Sequence, residues 1–175
     1  MIRKTFLLDR DGVINYDSHN YIRSPSDWTP IPGSLKAIAR LKKAGYKVVV
    51  VTNQSGIGRG YLDIHELNKI HNRLLRELAA EGATIDAFFF CPHRPEENCL
   101  CRKPSDGLLI SLQRKLGIDL RGVPFVGDKE SDVLTARSVG ARPILVKSGA
   151  SFSRKNITNC EIFDDLAQVV QSFLK

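Results

Sequence analysis

The sequence predicts an α/β fold in which helices cover both faces of a central, mostly parallel sheet. Short apolar runs rich in β-branched and aromatic residues alternate with stretches of helical periodicity, which is the pattern of successive strand–helix units. Residues 48–51 (VVVV) have no polar position, as expected of a strand that is buried on both faces. A chain of 175 residues, 42% of them hydrophobic, is long enough for one domain over residues 1–175 with its own core.

The predicted strands are short apolar runs that end close to polar residues. They cover residues 5–8, 48–51, 87–90, 123–126 and 143–146, and a weaker sixth strand covers residues 161–163. In parallel sheets with helices on both faces, ligands bind beyond the carboxyl ends of the strands. The residues that directly follow each strand are therefore the candidates for function.

Between the strands, apolar residues recur every three or four positions, which predicts amphipathic helices. The expected helices cover residues 34–44, 63–81, 105–116, 131–139 and 164–173. Glycine follows each of the first four, where the backbone at a helix end commonly turns left-handed. Asp63 and Glu66 match a capping box at the start of the second helix. The two histidines of that helix, His65 and His71, are expected on its solvated side.

The charge balance is basic, with 26 Lys and Arg against 19 Asp and Glu and a net charge of +7. Such a balance suits an anionic partner, either a phosphorylated metabolite or a nucleic acid. No basic segment is interleaved with aromatic residues, so we expect no nucleic-acid partner. No apolar run approaches the ~20 residues of a membrane helix, and the N-terminal run stops at Asp9. We therefore expect a cytoplasmic protein without a membrane partner, and nothing in the sequence indicates more than a monomer.

Two carboxylates follow the first strand. Asp9 and Asp11 are two residues apart and point the same way in an extended backbone, and Gly12 allows a sharp turn. Like charges this close raise each other's pKa unless a cation lies between them, and hard oxygen ligands suit Mg²⁺. Alone, the motif is equally compatible with a strand end that carries two solvated acids.

Two other loops offer groups that suit a phosphate. Residues 52–60 (TNQSGIGRG) combine a hydroxyl, two amides and three glycines, whose N–H groups can approach an anion, with the guanidinium of Arg59. Arg102 and Lys103 precede a helix N-terminus, a position that favours anions. Each loop alone could equally be an ordinary turn or a solvated basic pair.

A second pair of acids follows the fourth strand. Asp128 is a second candidate metal ligand, although a helix N-cap would use the same residue type. Asp132 lies four residues on, where the first helical turn would face it the same way. Taken together, the loops after the strands place a metal, a nucleophile and phosphate-binding groups at one edge of the sheet.

In this order the motifs resemble those of the haloacid dehalogenase-type phosphohydrolase superfamily. Residues 9–13 (DRDGV) match its Asp-x-Asp-Gly motif, Thr52 its Ser/Thr motif, Lys103 its lysine motif, and residues 127–128 with Asp132 its acidic motif. Residues 51–60 and 101–104 (CRKP) are similar to a narrower group that contains heptose bisphosphate and histidinol-phosphate phosphatases. The resemblance spans nearly the whole chain and implies a three-layer α/β/α, Rossmann-like fold with a minimal cap and an open site.

The resemblance also implies a mechanism. Asp9 would attack phosphorus and form an aspartyl phosphate, and Asp11 would act as general acid and then as general base. Mg²⁺ would bind the Asp9 carboxylate, the backbone carbonyl of Asp11, and Asp128. Thr52 and Lys103 would hold the transferring phosphoryl group.

A cysteine-rich segment over residues 91–101 predicts a second metal. Cys91, His93, Cys99 and Cys101 are four soft or borderline ligands with no fifth candidate, which suits a closed, structural Zn²⁺ site. The narrower phosphatase group has a similar loop, and the alternative is a set of free, oxidation-prone thiols. Cys160 stands apart and is expected to be a buried small hydrophobic residue.

The expected substrate is a sugar bisphosphate, because an open site suits a ligand that supplies its own recognition groups. The candidates for binding its second phosphate are the basic residues Arg59, Arg102 and Lys129. The candidates for binding its hydroxyls are the polar residues Asn15, His19 and Asn53. The resemblance favours loss of the 7-phosphate of D-glycero-D-manno-heptose 1,7-bisphosphate, on the route to ADP-heptose and lipopolysaccharide. The alternatives are a histidinol-phosphate phosphatase and, from another class, a non-enzymatic zinc-containing binding module.

Overall fold

Six parallel strands form one sheet in this computed structural model, which describes residues 4–150 and 157–174. In chain order the strands are β1 (Thr5–Leu8), β2 (Lys47–Asn53), β3 (Ala87–Cys91), β4 (Pro124–Gly127), β5 (Arg142–Val146) and β6 (Glu161–Phe163). Their spatial order is β3-β2-β1-β4-β5-β6, and each neighbouring pair is parallel. The predicted parallel sheet, including its weak sixth strand, is confirmed.

Across the described residues, six α-helices connect or flank the strands. They are α1 (Ser34–Lys43), α2 (Ser55–Gly58), α3 (Ile64–Ala80), α4 (Gly107–Leu116), α5 (Glu130–Ser138) and α6 (Leu166–Phe173). The five predicted helices are confirmed, with bounds that differ by at most two residues. The short α2 was not expected, because four residues are too few to show helical periodicity. No helix among residues 4–150 and 157–174 has the length and apolar character needed to span a bilayer.

The core has two layers, one on each face of the sheet. Phe6 and Leu8 of β1 face the layer formed with α1, α3 and α6, whereas Leu7 faces the layer formed with α4 and α5. All three side chains are fully buried, as expected for a central parallel strand whose alternate residues face opposite helices. The sequence-based prediction of a three-layer α/β/α fold is therefore confirmed.

The sheet register brings the ends of the central strands together. Leu8 of β1 is level with Val50 of β2 and with Val126 of β4, and the Asp9 N–H donates to the Val126 carbonyl at 2.9 Å. From β1 the chain adds β2 and then β3 on one side, and it returns to place β4 on the other side of β1. In folds of this kind, that reversal leaves a crevice at the carboxyl edge where ligands bind.

Candidate active site

A cavity of about 380 Å³ lies at the carboxyl edge of the sheet. Its walls come from the loops after β1, β2 and β4 and from the segment before α4. Asp9, Asp11, Thr52, Lys103 and Lys129 all line it. The structure thus brings together side chains that stand far apart in the sequence and that were expected to act in one place.

Lys103 is the central cation of the cavity. Its side chain is 2% exposed, and its Nζ lies 3.1 Å from Oδ1 of Asp9 and 2.6 Å from Oδ1 of Asp132. The Nζ also donates to the carbonyl of Val51 at 2.9 Å. Burial would lower the pKa of Lys103, but the two carboxylates outweigh it and raise that pKa, so the ammonium stays charged. A fixed positive charge therefore lies beside the proposed nucleophile.

Asp128 is a buried carboxylate whose two oxygens have no hydrogen-bond partner among residues 4–150 and 157–174. The Lys129 Nζ lies 3.8 Å from its Oδ2. Gly12 and Gly149 approach so closely that a Cβ on either would overlap the Asp128 carboxylate, and Gly12 has a φ of 86°. Two glycines thus hold the backbone around a charged group that lacks a strong partner.

This carboxylate belongs to a cluster that fits a divalent cation. Oxygens of Asp9, Asp128 and Asp132 lie within 4.8 Å of one another, and all three residues are buried. Burial raises the pKa of Asp9 to about 6, and burial together with the Asp9 charge raises that of Asp128 to about 8. Oxygen ligands whose charges are this poorly compensated suit Mg²⁺. The carbonyl of Asp11 as a ligand stays a prediction, and Asp132 joins the cluster.

The Asp11 carboxylate is held away from this cluster by donors on three sides. Arg10 donates from Nε to Oδ1 at 2.9 Å and from Nη2 to Oδ2 at 3.1 Å. Asn15 donates to Oδ1 at 2.9 Å, and Gln54 donates to Oδ2 at 3.0 Å. Burial would raise the pKa of Asp11, but Arg10 and these hydrogen bonds outweigh it and lower that pKa. Asp11 is therefore ionised and fixed in orientation before a ligand arrives.

Asn15 and Asn53 are committed to protein contacts. Asn15 is fully buried, and its amide donates to Asp11 and to the Tyr16 carbonyl, so it orients Asp11 instead of facing a sugar. Asn53 donates to the Lys103 carbonyl and accepts from the Lys103 N–H, both at 3.1 Å. Asn53 lines the cavity, and these two hydrogen bonds hold the backbone of Lys103 against the end of β2.

The basic candidates divide into two groups. Arg102 and Lys129 line the cavity, and Lys129 pairs with Asp17 across it at 3.0 Å. Arg59 is exposed, pairs with Glu96 at 3.5 Å and does not line the cavity, and His19 is likewise exposed and outside the lining. Of the four, the structure brings only Arg102 and Lys129 to the site.

The expected zinc ligands meet in space. The sulfurs of Cys91, Cys99 and Cys101 lie 3.2–3.5 Å apart, and Nδ1 of His93 is 3.2 Å from the Cys101 sulfur. A tetrahedron with metal–sulfur bonds of about 2.3 Å has edges of about 3.8 Å, so the four groups fit Zn²⁺. Although burial acts in the opposite direction, the backbone N–H of Arg102 helps lower the pKa of Cys99 to about 7, which favours the thiolate that zinc needs.

The cysteine-rich segment, residues 91–101, also contacts the cavity. The Arg102 guanidinium donates from Nη1 to the His93 carbonyl at 3.4 Å, so a ligand residue of the loop helps to orient a cavity cation. Cys160 lies outside the ligand group and is half-buried, with its sulfur beside the Pro143 carbonyl. Cys160 was expected to be a buried small hydrophobic residue; it packs against the cluster of Val133, Leu145 and Ile157 but is only partly buried.

The interpretation of His71 as a solvated residue was also wrong. It is 5% exposed, its ring stacks on Phe88 at 4.2 Å, and its Nε2 lies 3.2 Å from Nη1 of Arg10. His71 lies four residues after Leu67 and three before Leu74, so the helical period places it on the apolar stripe, and its polar residue type was the misleading signal. His65 is exposed, as expected.

Sequence reasoning also missed several residues at the cavity. Gln54 bridges the Asp11 carboxylate and the Thr52 hydroxyl, with 3.0 Å to each. Its two-residue spacing from Thr52 was the available signal, since alternate residues of an extended chain share a side. Asp17 and Tyr21 line the cavity from the long loop after β1, where no regular period indicates direction.

Comparison with known proteins identifies the class of this fold and site. Residues 6–66 match the family model described as haloacid dehalogenase-like hydrolase, and residues 100–169 match the related HAD-hydrolase-like model. The first match contains the Asp9 and Thr52 motifs, and the second contains the Lys103 and Asp128 motifs. The fold and the site therefore define a haloacid dehalogenase-like hydrolase.

Relatives of similar length narrow this class. D-glycero-beta-D-manno-heptose-1,7-bisphosphate 7-phosphatase of Pseudomonas aeruginosa is 45% identical, with 100% of both chains covered. The crystal structure of D,D-heptose 1,7-bisphosphate phosphatase from B. bronchiseptica, complexed with magnesium and phosphate, is 43% identical with a TM-score of 0.94 and 98% of both chains covered. The corresponding Burkholderia thailandensis structure is 37% identical, with a TM-score of 0.72, and the match covers 98% of this chain and 99% of that one. The chain belongs to the haloacid dehalogenase-like family, in the group of heptose bisphosphate phosphatases.

Proposed function

We propose that this protein is a Mg²⁺-dependent phosphatase that removes the 7-phosphate of D-glycero-D-manno-heptose 1,7-bisphosphate. The observation that carries the proposal is that Asp9, Lys103, Arg102 and Lys129 line one cavity, and that the buried, poorly compensated carboxyl of Asp128 lies within 4.8 Å of the Asp9 carboxylate. The names of full-length relatives at 43–47% identity support the substrate. The product would serve the supply of ADP-heptose for lipopolysaccharide.

In the first step, a carboxylate oxygen of Asp9 attacks phosphorus and the bond from phosphorus to the sugar oxygen breaks. Asp11 gives a proton to the departing sugar oxygen, which leaves as a neutral alcohol. Lys103 and Thr52 hold the phosphoryl oxygens as their charge shifts, because both are buried at the cavity and fixed by neighbours. Mg²⁺ held by Asp9 and Asp128 offsets the repulsion between the nucleophile and the phosphate.

In the second step, the aspartyl phosphate on Asp9 is hydrolysed. Asp11 takes a proton from water, the water oxygen bonds to phosphorus, and the acyl-phosphate bond breaks to release phosphate and restore Asp9. Hydrogen bonds from Arg10, Asn15 and Gln54 keep Asp11 in its ionised form, which suits the basic role. For the first step Asp11 must carry a proton. The negative charge of the bound substrate raises the pKa of Asp11 and so favours this protonated form.

Arg102 and Lys129 are the groups that we assign to the second phosphate. Within the described residues, the Arg102 side chain makes one hydrogen bond, to the His93 carbonyl at 3.4 Å, so its other guanidinium donors are available to a ligand in the cavity. A planar guanidinium suits two phosphate oxygens at once. Zn²⁺ in the cysteine loop would serve structure, because four protein ligands leave no open position.

The test is phosphate release by the wild-type protein with Mg²⁺. The substrates are the α- and β-anomers of heptose 1,7-bisphosphate and histidinol phosphate, and ³¹P NMR identifies which phosphate is lost. Asp9→Asn provides the inactive control, since an amide is a poor nucleophile of nearly the same shape. We expect the highest kcat/KM with a heptose bisphosphate and loss of its 7-phosphate.

Two outcomes would contradict the proposal. A higher kcat/KM for histidinol phosphate would retain the chemistry and reject the substrate. Absence of release from every phosphate ester, with Mg²⁺ and Zn²⁺ present, would reject the enzyme and favour the zinc-containing binding module.

A further inference from the structure

A buried chain of contacts leads from the middle of α3 to the Asp11 carboxylate. Arg10 is fully buried, and its guanidinium donates to both oxygens of Asp11. Its remaining nitrogen, Nη1, lies 3.2 Å from Nε2 of His71. The chain thus joins a helix that does not line the cavity to one of the two central carboxylates of the site.

The chemistry of the pair fixes the state of His71. An arginine side chain has only donors, so Nε2 must accept and the ring proton must lie on Nδ1. Stacking on Phe88 at 4.2 Å fixes the plane of the ring. Burial and the nearby Arg10 charge lower the pKa of His71 to about 3, so the ring stays neutral and remains an acceptor at working pH.

We propose that His71 and Arg10 are positioning residues that hold Asp11 in the orientation needed to protonate the leaving sugar oxygen. This inference rests on the proposed function, since it assigns Asp11 to the acid role. His71 accepts from the outer side of the guanidinium and so fixes the direction in which the two inner nitrogens point. Asn15 and Gln54 each supply one bond to Asp11, whereas Arg10 supplies two and binds both oxygens.

A purely structural role would give a different result from a positioning role. A buried guanidinium with an unpaired nitrogen destabilises the fold, and such a loss would affect every substrate equally. A displaced general acid affects only substrates whose leaving group must be protonated. A sugar or alkyl oxygen is a poor leaving group without a proton, whereas 4-nitrophenolate departs as an anion.

The experiment compares kcat/KM for heptose 1,7-bisphosphate and for 4-nitrophenyl phosphate in four variants. His71→Phe retains an aromatic ring and removes the acceptor, and His71→Gln restores an acceptor close to the Nε2 position. Arg10→Lys retains the positive charge and loses the pair of hydrogen bonds to the two oxygens of Asp11. Leu78→Val is the matched control, because it disturbs the buried face of the same helix and leaves His71, Phe88 and Arg10 unchanged. The melting temperature of each variant is measured in parallel.

We expect His71→Phe and Arg10→Lys to lower kcat/KM for the sugar phosphate about 10-fold or more, as for partial loss of general acid catalysis. The same variants should change kcat/KM for 4-nitrophenyl phosphate by less than about threefold, since its leaving group needs no proton. His71→Gln should recover most of the loss, and Leu78→Val should affect both substrates alike. If His71→Phe does not fold, Arg10→Lys still gives the comparison.

Equal losses for the two phosphate esters in both His71→Phe and Arg10→Lys would overturn the inference. Failure of His71→Gln to recover activity, with a folded protein, would also count against it. The wild type separates this inference from the proposed function. If it prefers histidinol phosphate, the proposed sugar substrate is wrong, and the same comparison is made with histidinol phosphate as the alkyl ester.

Discussion

Replacing Asp128 by asparagine should stabilise the protein in the absence of Mg²⁺, although it should abolish activity. Both oxygens of Asp128 are buried and have no hydrogen-bond partner in the part of the chain that the structure describes, and the pKa of this carboxyl is raised from 3.8 to about 8. In the unfolded chain the group ionises near pH 4. Because the folded state disfavours the ionised form of this carboxyl, the free energy of unfolding of the metal-free protein falls as the pH rises from about 4 to about 8.

The magnitude follows from these pKa values. Keeping the carboxyl protonated about three pH units above its ordinary pKa costs about 4 kcal/mol at 1.36 kcal/mol per unit. A buried amide without partners still costs about 1–3 kcal/mol, so the net gain of Asp128→Asn is about 1–3 kcal/mol. For a chain of this length, that corresponds to a rise in melting temperature of about 3–10 °C.

The assay is thermal unfolding at pH 7 and pH 5 in Mg²⁺-free buffer that contains Zn²⁺, followed by Mg²⁺ titration. We expect Asp128→Asn to unfold at a higher temperature than the wild type at pH 7, with a smaller difference at pH 5. Mg²⁺ at about 100 times its Kd should stabilise the wild type by about 2.7 kcal/mol and leave the variant unchanged. Asp119→Asn, which changes an exposed carboxylate, is the control for net charge.

The reasoning would be refuted by a metal-free Asp128→Asn protein that is less stable than the wild type at pH 7. It would equally be refuted if Mg²⁺ stabilised the two proteins to the same extent, because the cation would then bind elsewhere.

Three further predictions concern other parts of the molecule. Arg102→Ala should lower kcat/KM for the sugar bisphosphate by about 10–100-fold, through the loss of charge-assisted hydrogen bonds, and change that for 4-nitrophenyl phosphate little; equal losses would remove Arg102 from the second-phosphate site. Cys99→Ser should lower the zinc content, measured by metal analysis, and with it the melting temperature and the affinity for the bisphosphate. Unchanged kinetics in a zinc-free variant would contradict a link between the cysteine-rich segment and Arg102. Because the pKa of His71 is lowered from 6.5 to about 3, its contribution to stability is lost as the pH falls below 6.5, by about 1.4 kcal/mol per unit. Urea unfolding between pH 6.5 and 4 should therefore show a shallower pH dependence for His71→Gln than for the wild type.

The sequence was informative where one strong local rule applies. Uniform apolar runs gave the strands, and residues directly after them gave Asp9, Thr52 and Asp128, because parallel strands present their carboxyl ends at one edge. The zinc ligands followed from residue type alone. Lys103 could be proposed from its position before a helix, and its ion pairs became visible only in the structure.

The remainder depends on side-chain direction in segments without a period. Asn15 and His19 lie in the same loop after β1, yet one is fully buried beneath Asp11 and the other is exposed. Arg59 lies in a promising glycine-rich loop, but the short α2 directs it to Glu96. The helical spacing of His71 from Leu67 and Leu74 indicated that it is buried, but its contact with Arg10 became visible only in the structure, because the two residues are 61 positions apart.

The ionised groups around the cavity have a consequence for the order in which ligands bind. The carboxylates of Asp9, Asp11, Asp17 and Asp132 face four cations, Arg10, Arg102, Lys103 and Lys129, whereas the raised pKa of Asp128, about 8, keeps that carboxyl largely protonated without a metal. Because these charges balance, a divalent cation or a phosphate dianion alone would leave an excess of two charges of one sign, whereas the two together leave the net charge unchanged. Mg²⁺ and the phosphate ester should therefore bind with positive cooperativity. By thermodynamic reciprocity, each should tighten the other's affinity by the same factor.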